Sequence, residues 1–222
     1  TIAVSPAAVL TVGPPGRTWV AAVVDGTTVH AYASFKGPWA TLTTAVSNPP
    51  ITLDKVTLLV QDSGTDYALS AYFGDFVAAP AGTKKAVAEV VALTVDGSDV
   101  VRGYSALSNT WSEHTLAGAS SAQVFAGLTY ALLQTAEVTL GYSADTRTFA
   151  EYARTDAFTG VVTAPEAACV RDGSLVVGFA PALCSFDALA TSGGASLIPA
   201  ENRFGSFVLA VDGGDVHAFS GV

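Results

Sequence analysis

The chain has 222 residues, half of them hydrophobic and only 13% charged, so it can bury a core of good size and wholesale disorder is excluded. Its formal net charge of −9 comes from 19 acidic and 10 dispersed basic residues, so we expect no nucleic-acid partner. No apolar run approaches the roughly 18 residues of a membrane helix, so we expect no membrane insertion. The chain starts at Thr1 and contains no methionine. A removed leader and a trimmed sequence both fit, and a secreted or extracellular location is favoured.

A small residue followed by an aromatic one recurs along the whole chain. The pairs are Ala31-Tyr32, Ala71-Tyr72, Gly103-Tyr104, Gly141-Tyr142, Gly178-Phe179 and Ala218-Phe219. Successive aromatics are 40, 32, 38, 37 and 40 residues apart, and the distance from Phe219 through the two chain ends to Tyr32 is 35. Repeats of this length are typical of propeller blades. The sequence therefore predicts a single domain, 1–222, with six repeats of about 37 residues.

Turn sequences precede most of these pairs by about seven residues. They are Asp25-Gly26, Asp62-Ser63-Gly64, Asp96-Gly97, Asp172-Gly173 and Asp212-Gly213, while the fourth repeat has Gln134-Thr135-Ala136 instead. An apolar run comes before each turn. Asp-Gly between such runs is a strong hairpin signal, because a type I′ turn needs positive φ at both central residues. Each repeat therefore contains at least one β-hairpin.

A second aromatic follows the first by seven residues, at Trp39, Trp111, Phe149 and Phe186, and the second repeat has Phe76 four residues after Tyr72. These positions predict a fourth, outer strand in each blade. The last repeat stops short of that strand, and Thr1–Pro6 resembles the end of the outer strands. We therefore predict an all-β, six-bladed β-propeller in which the N-terminal strand completes the last blade. A β-sandwich of about a dozen strands is the competing fold, but it would not explain six similar steps.

Seven residues are candidates for ligand binding. They are Trp19, Trp39, Trp111, His30, Arg102, Tyr104 and His217. An indole face is a good platform for a sugar ring, and its N–H can bond a hydroxyl. His30, Arg102 and His217 stand two residues before a repeat aromatic, where the repeat varies most and where side chains share one face of the strand. Packing between blades remains the alternative explanation for all of these residues.

Catalytic and metal-binding motifs are lacking, so we expect a protein that is not an enzyme and has no cofactor. Two histidines could begin a metal site, but no third ligand is evident. Cys169 and Cys184 lie on two strands of one predicted blade with a third strand between them. That places their Cα atoms about 10 Å apart, too far for a disulfide.

The stretch Val23–Tyr32, followed by Gly37-Pro38-Trp39, resembles the fungal fucose-binding lectins of the Aleuria type. The resemblance implies a six-bladed propeller with sugar sites between blades. In that family an Arg, a Glu and a Trp or Tyr build each site; here Trp39 and Trp111 match the aromatic, and no Arg and Glu recur at a fixed offset. We therefore expect a lectin that binds glycans or glycoproteins through repeated shallow sites. A protein-interaction or structural surface module is the alternative, and a propeller glycosidase is the third interpretation.

Overall fold

A computed structural model describes residues 1–13, 18–156, 158–202 and 205–221, and these form six small antiparallel sheets. The first sheet contains β1 (Val9–Val12), β2 (Val20–Asp25), β3 (Thr28–Ala33) and β4 (Trp39–Thr43). The second contains β5 (Ile51–Asp54), β6 (Thr57–Asp62), β7 (Thr65–Ser70) and β8 (Phe76–Pro80). The third contains β9 (Lys84–Ala88), β10 (Val91–Val95), β11 (Val100–Ser105) and β12 (Thr110–Thr115).

The second half of the chain continues the pattern. The fourth sheet contains β13 (Gln123–Ala126), β14 (Tyr130–Gln134), β15 (Val138–Ser143) and β16 (Thr148–Ala153). The fifth contains β17 (Phe158–Ala164), β18 (Ala167–Asp172), β19 (Leu175–Ala180) and β20 (Ser185–Ala190). The sixth contains β21 (Ser196–Asn202), β22 (Gly205–Asp212) and β23 (Asp215–Ser220). Two short 3₁₀ turns, Ala119–Ser121 and Pro181–Leu183, complete the assignment, and no helix of the described chain could span a membrane.

The sheets are arranged as the blades of a propeller. In every sheet the strands pair in chain order, and neighbouring sheets pack strand against strand of the same rank, as β9 does on β13 and β17 on β21. The first turns of several sheets converge on one cavity of about 360 Å³, which Lys55, Leu128, Glu166 and Glu201 help to line. These residues come from the second, fourth, fifth and sixth sheets, so the inner ends of four sheets meet at this cavity.

The small–aromatic pairs are explained by packing between consecutive sheets. A Cβ on Gly103 would collide with the ring of Tyr142, one on Gly141 with Phe179, and one on Gly178 with Phe219. The small residue of one blade therefore makes room for the aromatic ring of the next. Within four of the blades, the repeat aromatic contacts the second aromatic across the strands, as Tyr142 does Phe149 at 4.8 Å between ring centroids.

The second blade corrects our placement of the repeat. Leu69 pairs with Phe76, as Tyr104 pairs with Trp111 in the third blade, so Ala68-Leu69 and not Ala71-Tyr72 occupies the repeat position. The distances from Tyr32 to Leu69 and from Leu69 to Tyr104 are then 37 and 35 residues, closer to the other steps. Leu69 is fully buried, whereas Tyr72 follows the end of β7 and is exposed. The sequence pattern pointed to Tyr72 because it is aromatic, whereas Leu69 occupies the core position that an aromatic residue fills in other blades.

Four of the five turn aspartates join a blade to the connection that precedes it, whereas Asp96 bonds within its own blade. Asp62 accepts hydrogen bonds from the amides of Ala45 and Val46, with N···O distances of 2.8–2.9 Å. Asp172 accepts the amides of Thr155 and Asp156 at 2.8 and 2.7 Å. Asp212 receives the amide of Ser192 and Asp25 that of Ser5 in the same way. We predicted these residues only as turn formers, and the structure shows that they also fasten neighbouring blades together.

The junction between the last and first blades differs from our expectation in one respect. Among the described residues, Thr1–Ser5 form no strand, and the sixth sheet has three strands. The first strand of the chain, β1, pairs with β2 as the inner strand of the first sheet. Pairing of the N-terminus with β23 is therefore not part of the described structure.

Candidate interaction surface

Three exposed aromatic side chains form a continuous stack at one end of the first two blades. Phe35 lies between Trp19 and Tyr72, with ring centroids 4.9 Å from the former and 5.1 Å from the latter, and both pairs are stacked. The residues remain 39% (Trp19), 52% (Phe35) and 37% (Tyr72) exposed. We call Trp19, Phe35 and Tyr72 the aromatic row. Because exposed contiguous apolar surface is the usual feature of interaction sites, the aromatic row is a candidate binding surface.

The row is built from connections that share one end of the sheets. Trp19 ends the β1–β2 connection, Phe35 lies in the β3–β4 loop and Tyr72 in the β7–β8 loop. In a four-stranded meander the first and third connections lie at the same end, so the rings converge. The Trp19 amide donates to the Lys55 carbonyl at 2.7 Å, and the Trp19 carbonyl accepts the Ser34 amide at 2.9 Å. These bonds anchor the backbone beneath the rings.

Acidic groups line the cavity at the inner turns, which Lys55 connects to the row. Lys55, whose carbonyl holds Trp19, forms an ion pair with Glu89 and lines the cavity together with Glu166 and Glu201. Burial and then the nearby Glu166 carboxylate raise the pKa of Asp145 above its ordinary value. Carboxylates therefore line the cavity that Lys55 connects to the aromatic row, in keeping with the net charge of −9.

Two of the predicted ligand residues meet in a second depression. His30 and Trp39 line a cavity of about 540 Å³ together with Tyr32. The N-terminal residues Thr1–Ala3 close one side of it. Trp39 packs against Tyr32 at a centroid distance of 5.4 Å and is half-buried. The His30 ring is hydrogen-bonded to Thr41 through Nδ1, at 3.1 Å.

Three other predicted ligand residues serve the structure instead. Tyr104 is fully buried and donates its hydroxyl hydrogen to Asn109 at 2.6 Å. Trp111 packs on Tyr104 at 5.2 Å, and its indole N–H donates to the Val77 carbonyl of the neighbouring blade at 3.2 Å. These contacts correct our expectation for Tyr104, whose burial leaves no surface for a ligand, and they use the indole N–H of Trp111.

Arg102 is also a correction. Its guanidinium is buried between two carboxylates, bonding Glu113 through Nε at 2.7 Å and Asp96 through a terminal nitrogen at 2.8 Å. Burial opposes the charged form, but these bonds outweigh it and raise the pKa of Arg102 above its ordinary value. His217 is exposed on β23 of the sixth sheet. In the part of the chain that the structure describes, no three His, Cys, Asp or Glu side chains are grouped as metal ligands.

The sequence interpretation missed two members of the aromatic row. Phe35 stands between the repeat aromatic and Gly37, where a loop was expected, and an aromatic residue in a turn was itself an available signal. The sequence pattern predicts Tyr72 to be a repeat aromatic, whereas the structure has it in the loop after β7. Only Trp19 was a candidate, and its partners could not be found because they come from two different blades.

The six meander sheets and their convergent inner turns define a β-propeller type of fold. Comparisons with solved structures find similar chains of low identity. Hsv2 from Kluyveromyces marxianus is 10% identical with a TM-score of 0.41, over 74% of this chain and 57% of that chain. BamB from Moraxella catarrhalis is 14% identical with a TM-score of 0.37, over 95% and 72%.

PorZ, a surface component of the type-IX secretion system of Porphyromonas gingivalis, is 11% identical with a TM-score of 0.41 and is covered over 32% of its length. The chain thus spans little more than half of the Hsv2 structure and about a third of PorZ. No protein-family model matches the sequence, and the curated proteins give no match. The assignment of the fold therefore comes from the six sheets themselves.

Proposed function

We propose that this protein is a non-catalytic interaction module whose aromatic row docks an apolar segment of another protein. The observation that carries the proposal is the exposed stack of Trp19, Phe35 and Tyr72 on hydrogen-bonded loops. Aromatic side chains on a rigid base are the typical anchors of protein interfaces, because they bury a large area at little entropic cost.

The charge distribution favours a segment that also carries Lys or Arg. Glu166 and Glu201 line the cavity next to the row, and the protein has a net charge of −9. A basic partner would be attracted at long range, and a guanidinium can stack on an exposed ring face. An acidic partner would be repelled by the same groups.

A peptide array of random 15-residue sequences tests this proposal. We expect bound peptides to be enriched in aromatic or leucine residues together with Lys or Arg. The double variant Phe35→Ser/Tyr72→Ser should weaken binding by at least about tenfold, because anchors of this kind contribute about 2 kcal/mol or more. Val216→Ser, which removes an exposed apolar side chain from β23, is the matched control and should bind normally.

Absence of selective peptides, or equal binding by the double variant, would exclude docking on the row. Circular dichroism and thermal unfolding of each variant establish that the fold is retained. Loss of binding in the Val216 control as well would mean that general stickiness explains the signal.

A glycan-binding function is the second candidate, and the cavity that joins His30, Tyr32 and Trp39 favours it. Half-buried aromatic rings beside an imidazole provide a stacking face and a hydrogen-bonding group for a sugar. On a glycan array the intact protein should then bind, and Trp39→Ala should not. Trp111→Ala is the control, because its indole N–H is already bonded to Val77. A negative array at high protein concentration would remove this candidate.

We also propose that the propeller has six blades and that the N-terminal residues close the ring. Ser5 contacts Asp25 as Ser192 contacts Asp212, and Ser192 is a residue that follows an outer strand. Thr1–Val4 would then take the place of an outer strand before the first blade. Closure would also bury apolar side chains of the inner strands at the junction, among them Leu10 and Ile198, which are exposed in the described structure. We expect slow hydrogen exchange at every second amide of β23, and we expect this protection to be lost when residues 1–4 are deleted. Fast exchange at these amides in the intact chain would contradict closure by the N-terminus.

A further inference from the structure

The fourth blade departs from the others at its central hairpin. Where the second and fifth blades end the second strand with Asp62 and Asp172, β14 ends with Gln134. Those aspartates hold the preceding connection through its amides. Gln134 makes no such bond, and the connection before the fourth blade is held from the other side, by Asp99 of the third blade.

The Asp99 bonds explain how space opens beside Gln134. The Asp99 carboxylate accepts the amide of Gly118 at 3.0 Å and that of Ser120 at 2.7 Å. These bonds lower the pKa of Asp99, the Ser120 contacts having the larger effect. The connection is therefore fastened to its own blade and leaves the next hairpin uncovered.

A cavity of about 650 Å³ lies between that connection and the β14–β15 hairpin. Its size is in the range of small-molecule sites. Leu116, Ala117, Ala136 and Val138 provide apolar walls, and Gln134 lines it as well. The site thus combines apolar walls with polar residues and is bounded by two neighbouring blades; the polar lining residues are Ser121, Gln123, Gln134, Thr135 and Glu137.

The carboxamide of Gln134 is the unusual feature of this cavity. The residue is only 5% exposed, and neither its oxygen nor its nitrogen has a hydrogen-bond partner among the described residues. Directly across the strands, the hydroxyl of the fully buried Thr139 is also without a partner there. A buried polar group without a partner costs about 1–3 kcal/mol, so such groups are normally satisfied by protein, water or ligand.

We propose that this cavity is a binding site for a small neutral ligand that presents a primary carboxamide or lactam edge on an apolar body. Both carboxamide atoms are closed off from solvent in this structure, so the proposal requires the Gln134 side chain to turn into the cavity. It then offers one acceptor and one donor side by side, and an adjacent N–H and C=O on the ligand complements both. The apolar walls take the remainder of the ligand. A carboxylate fits poorly, because it offers no donor and Glu137 stands among the lining residues. This site is separate from the aromatic row.

Benzamide is the probe for the test, and benzoate is its charged counterpart. In ¹⁵N-resolved NMR titrations, benzamide should shift the side-chain amide signals of Gln134 and the backbone signals of Ala117 and Ala136. Gln134→Leu should weaken benzamide binding by about tenfold or more, the equivalent of losing a hydrogen-bonded pair. Gln61→Leu changes a half-buried glutamine of the second blade that does not line this cavity, and it should leave the affinity within about twofold.

The unliganded Gln134→Leu protein should unfold at the same temperature as the wild type or higher, because an unsatisfied buried amide has been removed. Three results would overturn the proposal: no benzamide shifts at Gln134 at millimolar concentrations, equal binding by Gln134→Leu, or equal binding of benzoate. The wild-type titration decides the question even if the leucine variant does not fold.

Discussion

Gly141 offers the sharpest test of how the blades pack. This residue lies on β15, and a Cβ built on it would come within 3.0 Å of three ring carbons of Phe179 in the next blade. Phe179 is buried, with its ring centroid 6.0 Å from Tyr130 and 4.9 Å from Phe186, so it has little room to move. Gly141→Ala should therefore force the two sheets apart.

The expected magnitude follows from two opposing effects. Overpacking a tight core by one methyl group costs about 1–3 kcal/mol. Replacing glycine by alanine within a strand returns roughly 0.5–1 kcal/mol, because the unfolded chain loses less entropy on folding. The closest approach of the new Cβ to the Phe179 ring would be 2.3 Å, which places the cost at the upper end of its range and the net loss at about 2 kcal/mol. At about 2–4 °C per kcal/mol for a domain of this size, the melting temperature should fall by about 4–8 °C.

Gly160→Ala is the matched control, since Gly160 also lies on a strand but has open space where its Cβ would be. Thermal and urea unfolding should show this variant to be as stable as the wild type or slightly more so. In Gly141→Ala/Phe179→Leu, the smaller side chain should recover about 1 kcal/mol relative to the sum of the single changes. Equal melting temperatures for Gly141→Ala and Gly160→Ala would refute the idea that this glycine admits the aromatic ring of the next blade.

Three further results are expected. Asp66→Ala should lower the free energy of unfolding, measured in urea, by about 3–5 kcal/mol. The reason is that the fully buried carboxylate bonds Lys85 at 2.6 Å, and removing it leaves that ammonium unpaired. A decrease below about 1 kcal/mol would contradict this prediction. Burial of Asp172 opposes ionisation, but its hydrogen bonds prevail and keep its pKa below the ordinary value. Asp172→Asn should therefore be less stable than wild type above about pH 4 and equally stable once the pH falls below the folded-state pKa. A difference in stability that persists at pH 2 would contradict the lowered pKa of Asp172. Burial raises the pKa of Cys169 to about 12. A thiol reagent at pH 8 should therefore modify Cys184 in the native protein and Cys169 only after denaturation. Modification of both cysteines at the same rate in the native protein would contradict the burial of Cys169.

Much of the architecture could be predicted because its signals are local. Asp-Gly turns between apolar runs mark hairpins whose strands pair within a few residues, and Asp25, Asp172 and Asp212 all end the second strand of a sheet. The order of strands within each sheet followed from these hairpins. The spacing of seven between Tyr32 and Trp39 likewise reflects a direct cross-strand pair.

The candidate site was harder to predict, since its parts come from separate blades. Trp19 was proposed as a ligand residue without its partners, and Arg102 was proposed because it interrupts the repeat. The structure shows that Arg102 diverges to pair with Asp96 and Glu113. A variable position in a repeat therefore indicated an internal ion-pair network rather than a binding surface.

The sequence by itself determined the class of fold, the number of repeats and the hairpin at the centre of most of them, because turn chemistry and alternating strands depend on neighbouring residues. Only the tertiary structure decided that Leu69 replaces an aromatic in the core and that Tyr72 joins the surface row. It also decided that Gln134 lines a cavity, because that depends on which blade holds the connection at Gly118. The last two features depend on contacts between residues more than 15 positions apart, Tyr72 with Phe35 and Gly118 with Asp99, and no local pattern encodes them.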